Sequence, residues 1–204
     1  TAGKLGAGVL SLNAVADRGK GVDSAKVTLK DFWKIAEESA KEHGNTMNRE
    51  DWRIVLHTHV AESKKEAMKQ IKERALWYQR DYFEDTLGTP SPYPNASRDQ
   101  LVEMMVEGGN WIVGTPDDVV DAIHRIDEIS GGFGGYMIQA TEWGTREEIL
   151  RSYELIARYV MPKFKGQLDS LEFSQKWYAD KKKFFMDERS RSMDISQAEY
   201  DSKK

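Results

Sequence analysis

The sequence predicts an α/β fold built on parallel strands, and three observations predict it. Short apolar runs at 9–13, 52–61 and 136–140 have the length and composition of buried parallel strands. Amphipathic stretches with helical spacing separate them, and most open on a capping residue. The order that results is strand, helix, strand, three helices, strand, helix, which is the order of β/α units.

Each element has a local reason. Gly6 and Gly8 precede the first strand, and the Gly-rich polar stretch that follows, as far as Lys26, reads as a loop. Leu29, Phe32, Trp33, Ala36 and Ala40 recur at helical spacing, and Gly44 ends that helix. After the second strand, Ser63 and Glu66 have the spacing of a capping box for a helix carrying Ala67, Ile71 and Ala75. Residues 84–96 read as loop, because Pro90, Pro92 and Pro94 forbid both helix and a central strand. Ser97 and Gln100 cap a short helix with Leu101, Met104 and Met105. Thr115, Pro116, Asp117 and Asp118 open the next helix, whose apolar stripe is Val119, Val120, Ile123 and Ile126. Glycines then lead into the third strand, and Thr145 with Glu148 caps a helix that runs to Pro162. Residues 1–166 thus form the framework. Residues 167–204 are charged, with Phe173, Trp177, Phe184, Phe185 and Met186 as apolar anchors, and read as a peripheral helix and tail.

Composition excludes several chemistries. Cysteine is absent, which removes disulfides, thiolate catalysis and cysteine-bound metal clusters. The net charge is -4 with both signs interspersed, so no basic field awaits a nucleic acid. No apolar run approaches the roughly 18 to 20 residues of a membrane span, and no signal segment precedes the framework, so a cytoplasmic setting is expected. Thr1 stands where a helix is already under way, which suggests the carboxyl-terminal part of a longer chain.

The candidate chemistry admits two readings at each place. Gly131, Gly132, Gly134 and Gly135 could cradle a phosphate, but they precede a strand where nucleotide-binding glycines follow one, which favours a tight helix-to-strand turn. His57 and His59 alternate on one side of a strand, a spacing open to metal binding or proton transfer. No third ligand with recognisable spacing accompanies them, and His59 stands nearer the strand's carboxyl end as a pocket residue. Glu142 and Trp143 follow the last strand directly, where parallel β/α folds place their sites. They are either an aromatic wall beside a carboxylate or a helix-entry loop. Ser11 and Asn13 hold the matching place after the first strand, as ligands of a cofactor ring or as a satisfied turn.

Ala2-Gly-Lys-Leu-Gly-Ala-Gly-Val-Leu-Ser-Leu, His59-Val-Ala-Glu-Ser, Val113-Gly-Thr-Pro-Asp-Asp, Gly131-Gly-Phe-Gly, Glu142-Trp and Ser152-Tyr-Glu-Leu-Ile-Ala-Arg-Tyr-Val-Met-Pro occur in that order. Together they resemble the carboxyl-terminal half of the bacterial luciferase-like, flavin-dependent monooxygenases, in the limonene and alkane monooxygenase-like branch. The resemblance implies a (β/α)8 TIM barrel whose sixth, seventh and eighth strands are those near 9, 52 and 136. It also implies a two-component enzyme that takes reduced FMN from a separate flavin reductase and oxygenates an apolar organic substrate with O2. The family's FMN-phosphate loop would lie before Thr1. Carried over by position, Ser11, Leu12 and Asn13 fall near the flavin ring, and His59, Glu142 and Trp143 fall in the substrate pocket. A half-barrel alone would be inactive. The alternatives are a deazaflavin (F420)-dependent oxidoreductase of the same fold and a non-catalytic subunit that joins a homo-oligomer through the tail aromatics.

Overall fold

In this computed structural model the second apolar run becomes the central strand β2 (Arg53–Val60), which pairs in parallel with three other strands. The structure describes residues 1–12, 28–166 and 169–202. Within them the chain forms α1 (Ala2–Leu5), β1 (Leu10–Ser11), α2 (Leu29–Glu42), β2, α3 (Lys64–Leu76), α4 (Arg98–Glu107), β3 (Trp111–Gly114), α5 (Pro116–Ser130), β4 (Gly135–Gln139) and α6 (Arg146–Leu155). A short α7 (Met161–Phe164) precedes α8 (Asp169–Asp180) and α9 (Lys182–Asp201). Residues 1–161 form one compact unit and residues 162–204 a second. No helix among the described residues is long and apolar enough to cross a membrane.

Register fixes the strand order. Arg53 pairs with Leu10 and with Gly135, and His57 pairs with Trp111 and with Gln139. A strand residue has only two edges, so β1 and β3 lie one after the other along one edge of β2, and β4 takes the opposite edge.

Three sequence expectations change here. The strand β3 was not anticipated, because Trp-Ile-Val-Gly is too short to show a period between Gly109 and the cap at Thr115. The first strand is ordered as a ladder only at Leu10–Ser11, and Asn13 lies outside the described residues. Residues 84–86 are helical, since α3 runs on into a π-helical segment, Trp77–Thr86. The wider turn brings residues five apart together: Gln79 Nε2 donates to Glu84 Oε1 at 3.1 Å, and Arg80 pairs with the same carboxylate.

The caps form as their sequences dictate. Thr28 with Asp31, Thr115 with Asp118 and Thr145 with Glu148 make reciprocal boxes at α2, α5 and α6. At α3 the Ser63 hydroxyl accepts from the Glu66 N–H at 3.2 Å, and at α4 Gln100 Oε1 accepts from the Ser97 hydroxyl at 3.0 Å. Gly131 closes α5 at a φ of 75°, and the Arg49 guanidinium holds the turn through the carbonyls of Ser130 and Gly132. A side chain at Gly134 would put its Cβ 1.9 Å from the Glu50 carbonyl oxygen, so close backbone approach accounts for that glycine.

The two faces of β2 do different work. Ile54, Leu56 and Val60 point to one side and pack against Leu29 and Trp33 of α2, Val119 and Ile126 of α5, and Leu155 at the end of α6. Each such side chain contributes on the order of 1.5–3 kcal/mol on burial. His57 and His59 point to the other side, under Ile71, Leu101, Val102 and Met105 of α3 and α4, which pack on Trp111, Val113 and Trp143. Residues 61–110 therefore fold over the carboxyl half of the second face. Toward the strands' amino ends that face carries Leu10 and Met137, exposed at 54% and 43%. In the second unit, Phe185 of α9 packs on Trp177 and Tyr178 of α8, at 5.5 and 5.3 Å between ring centres.

A buried hydroxyl ties α6 to the central strand: Ser152 Oγ accepts from the Val60 N–H at 2.9 Å. Replacing Ser152 with Ala leaves that donor unpaired, at a cost of about 1–3 kcal/mol. Urea unfolding of the variant is expected to show a lower midpoint by that amount; an unchanged midpoint would contradict the role.

Candidate functional site

The second face of the sheet carries an aromatic wall, level with the carboxyl end of β4 and the start of β3. His57 on β2 and Trp111 on β3 are paired across the ladder and so project to the same side. Trp143, in the loop after β4, turns back onto them, with ring centres 4.9 Å from His57 and 4.6 Å from Trp111. Tyr78, from the π-helical segment, closes the group at 5.2 Å from His57 and 5.7 Å from Trp143. Arg74 of α3 holds the loop in place by donating to the carbonyls of Glu142 and Gly144 at 3.2 and 3.4 Å. Beside the wall a cleft of about 580 Å³ opens between α3, α4 and this loop, lined by Met68, Gln70, Arg74, Val102, Trp143 and Thr145 among others.

Two nitrogens in the wall are buried without a partner, His57 Nδ1 and Trp143 Nε1; Trp33 Nε1, under the helix layer, is another. An unpaired buried polar atom calls for an explanation, and in a pocket wall a ligand group is a common one. Burial pushes the His57 imidazole down to about 4, so the ring is neutral at physiological pH. His59, 5% exposed, faces α3 instead, with Nε2 2.8 Å from Gln70 Oε1. The backbone N–H of Thr145 holds the Glu148 carboxyl below its usual range.

The structure separates the sequence candidates into two groups. His59 and Trp143 come together at the carboxyl end, where Gly144 passes close to the His59 ring. Glu142 follows them in sequence but exposes its side chain, contributing only its carbonyl to the Arg74 clamp. Ser11 pairs in register with Ile54, five residues before His59, a separation of about 17 Å along the strand. It shares the face of Ile54, opposite to His57 and His59, and its hydroxyl oxygen accepts from Trp52 Nε1 at 3.0 Å. Leu12 is 71% exposed. Trp111, Tyr78, Gln70 and Arg74 escaped the sequence reading. The only signal was the apolar start of a four-residue strand for the first and helical spacing for the others. Among the described residues no group of three or more histidines and carboxylates is placed to hold a metal ion.

His57 also makes a stability prediction. Its folded value, about 4, lies below the ordinary imidazole value of 6.5, so the unfolded chain binds the proton first as pH falls. The contribution is whole above pH 6.5 and is lost between there and about 4, on the order of 3 kcal/mol in all. A His57→Gln variant is expected to flatten that part of the stability-against-pH curve; a curve of unchanged slope would contradict it.

Comparison with known proteins adds a second line of evidence. No family model matches the chain. It is 35% identical to 4-hydroxyprotoasukamycin monooxygenase of Streptomyces nodosus subsp. asukaensis over 179 residues, which is 88% of this chain and 47% of that protein. It is 38% identical to limonene 1,2-monooxygenase of Rhodococcus erythropolis over 167 residues, 82% of this chain and 41% of that one. The chain thus spans a little under half the length of these relatives. Among solved structures, the fold matches the oxygenating constituent of 3,6-diketocamphane monooxygenase of Pseudomonas putida, a type II Baeyer–Villiger monooxygenase in complex with FMN. That match has a TM-score of 0.59 and 24% identity, and covers 79% of this chain and 44% of the other. By sequence the chain is similar to part of these monooxygenases, and its fold is that of part of an FMN-bound one, a likeness to the luciferase-like, flavin-dependent monooxygenases.

Proposed function

We propose that these residues are part of a two-component FMN-dependent monooxygenase and contribute strands six, seven and eight of its (β/α)8 barrel as β1, β2 and β4. The observation that carries the reading is the aromatic wall at the carboxyl end of β4, where Trp143 turns back onto His57 and Trp111; barrels of this class assemble their sites at that end of their strands. On this assignment β3 belongs to the excursion between the seventh and eighth strands, and the covered half of the sheet's second face is the barrel interior. The bare half, with Leu10 and Met137, is where further strands would pack.

The residues present suit the ring system of a flavin. Trp111 and Trp143, 2% and 3% exposed, would back the ring's place as a rigid apolar wall, and the unpaired His57 and Trp143 nitrogens are suited to its carbonyls and ring nitrogens. When bound, the flavin supplies oxygen activation, fed as reduced FMN by a separate reductase. The protein's part is to bind, orient and exclude water. Trp111 and Trp143 would form the wall, His57 would stay neutral and unable to donate a stray proton, and His59 would face an apolar organic substrate. Of Ser11, Leu12 and Asn13, carried over by position to the flavin's border, Ser11 pairs with Ile54 and turns to the helix-packed face, which leaves Leu12 as the described residue of the sixth strand on the flavin's side. Arg74 would keep the loop of Glu142 and Trp143 closed against solvent.

A second reading, a chain that associates through its carboxyl-terminal helices, is favoured by exposure of Trp177 and Phe184 at 46% and 60%.

The first reading is tested by titrating full-length protein with FMN and following flavin fluorescence. Saturable binding is expected, weakened about tenfold or more in Trp143→Ala, in line with the loss of about 1.4 kcal/mol or more of ring contact. Binding of equal affinity in the variant would sink the assignment of the wall. For the second reading, sedimentation of Trp177→Ala/Phe184→Ala should show weakened self-association; an unchanged profile would count against it.

A further inference from the structure

A polar chain runs from the central strand to the helix above it, apart from the aromatic wall. His59 Nε2 lies 2.8 Å from Gln70 Oε1, and Gln70 Nε2 donates to Glu66 Oε1 at 3.3 Å. Glu66 and Gln70 stand four apart on α3 and so share a face of that helix. The first turn is fixed by the Ser63 hydroxyl, which accepts from the Glu66 N–H.

The chemistry of these groups allows only one arrangement of protons. A carboxylate accepts and cannot donate, so the amide nitrogen of Gln70 must face Glu66 and its carbonyl must face His59. A carbonyl likewise only accepts, which places a proton on His59 Nε2. In the neutral ring the other nitrogen, Nδ1, then holds a lone pair. His59 is 5% exposed and lies at the carboxyl end of β2, with its Cε1 beside Gly144, where an added Cβ would stand 3.6 Å away. His57 differs, since no relay reaches its Nδ1.

We propose that Glu66 and Gln70 are positioning residues that lock His59 as the Nε2–H tautomer, so that Nδ1 is offered as an acceptor to an O–H or N–H of the site's ligand. The identity of that ligand as flavin or substrate rests on the function proposed above; the tautomer does not. The consequence is selective. A ligand without a donor at this place forgoes that hydrogen bond, so the site prefers hydroxyl- or imide-bearing molecules to plain hydrocarbon isosteres.

The test is long-range proton–nitrogen NMR on full-length protein labelled with 15N-histidine, the His59 signals being assigned by their loss in His59→Asn. It is run in alkaline buffer. The wild-type protein is expected to carry its proton on Nε2. In Glu66→Gln the amide at position 70 becomes free to turn over, and the Nδ1–H form is expected to grow to a comparable share. In Gln70→Leu, which removes the acceptor, the same mixing is expected. A wild-type proton on Nδ1, or tautomer ratios unchanged in both variants, would overturn the proposal. Neither result depends on flavin, so a failure here leaves the monooxygenase reading standing, and a failure to bind FMN leaves this one standing.

Discussion

The register of β2 is the constraint on which the rest depends. Its alternate residues divide into a helix-packed set, Ile54, Leu56 and Val60, and a set on the other face at the candidate site, His57 and His59. A slip of one residue would turn the histidines into the helix-packed core and the aliphatic residues into the pocket. Several independent contacts forbid it. Parallel ladders grip both edges at once, the Ser152 hydroxyl fixes the Val60 N–H, and the Tyr136 hydroxyl lies 2.6 Å from that of Thr58 across the β4 edge. The candidate site is therefore anchored on a strand restrained along both edges.

What the loops and the excursion add is cover. The chain leaves the sheet after Val60, folds α3, the π-helical segment and α4 over the second face, and returns through β3 to the same edge of β2. The π-helical register turns Tyr78 onto His57, while Gln79, Arg80 and Glu84 satisfy one another, and Arg80 donates to the Ala96 carbonyl at 3.0 Å, which fastens the proline loop. The wall is thus enclosed from strand, helix and loop at once. A low-dielectric enclosure of this kind explains a neutral His57, and it makes the unpaired Trp143 indole nitrogen costly until a partner meets it.

Much of the frame was legible in the sequence, for physical reasons. Caps such as Thr115 with Asp118 announce a helix start by local hydrogen bonding alone, and the apolar run at β2 is long enough to show itself as buried. The four residues of β3 were not legible, since their strand character comes from pairing with β2 and not from any period of their own. The site was legible only in part. His59 stood out near the carboxyl end of its strand and Trp143 just after the end of its own, whereas Tyr78, Gln70 and Arg74 lie on a helix and reach the site only through tertiary packing. Glu142 stood out for the same reason as its neighbour, and the structure turns its side chain to solvent.

The central claim is that the wall of His57, Trp111 and Trp143 is where the flavin ring rests. The most direct measurement is a crystal structure of the full-length protein with FMN bound. The account predicts the isoalloxazine ring on the second face of the sheet, within contact of this wall and within hydrogen-bond reach of Trp143 Nε1 or His57 Nδ1. A ring bound elsewhere, for instance in the cleft between α3 and α4 with the wall nitrogens still unpaired, would contradict it.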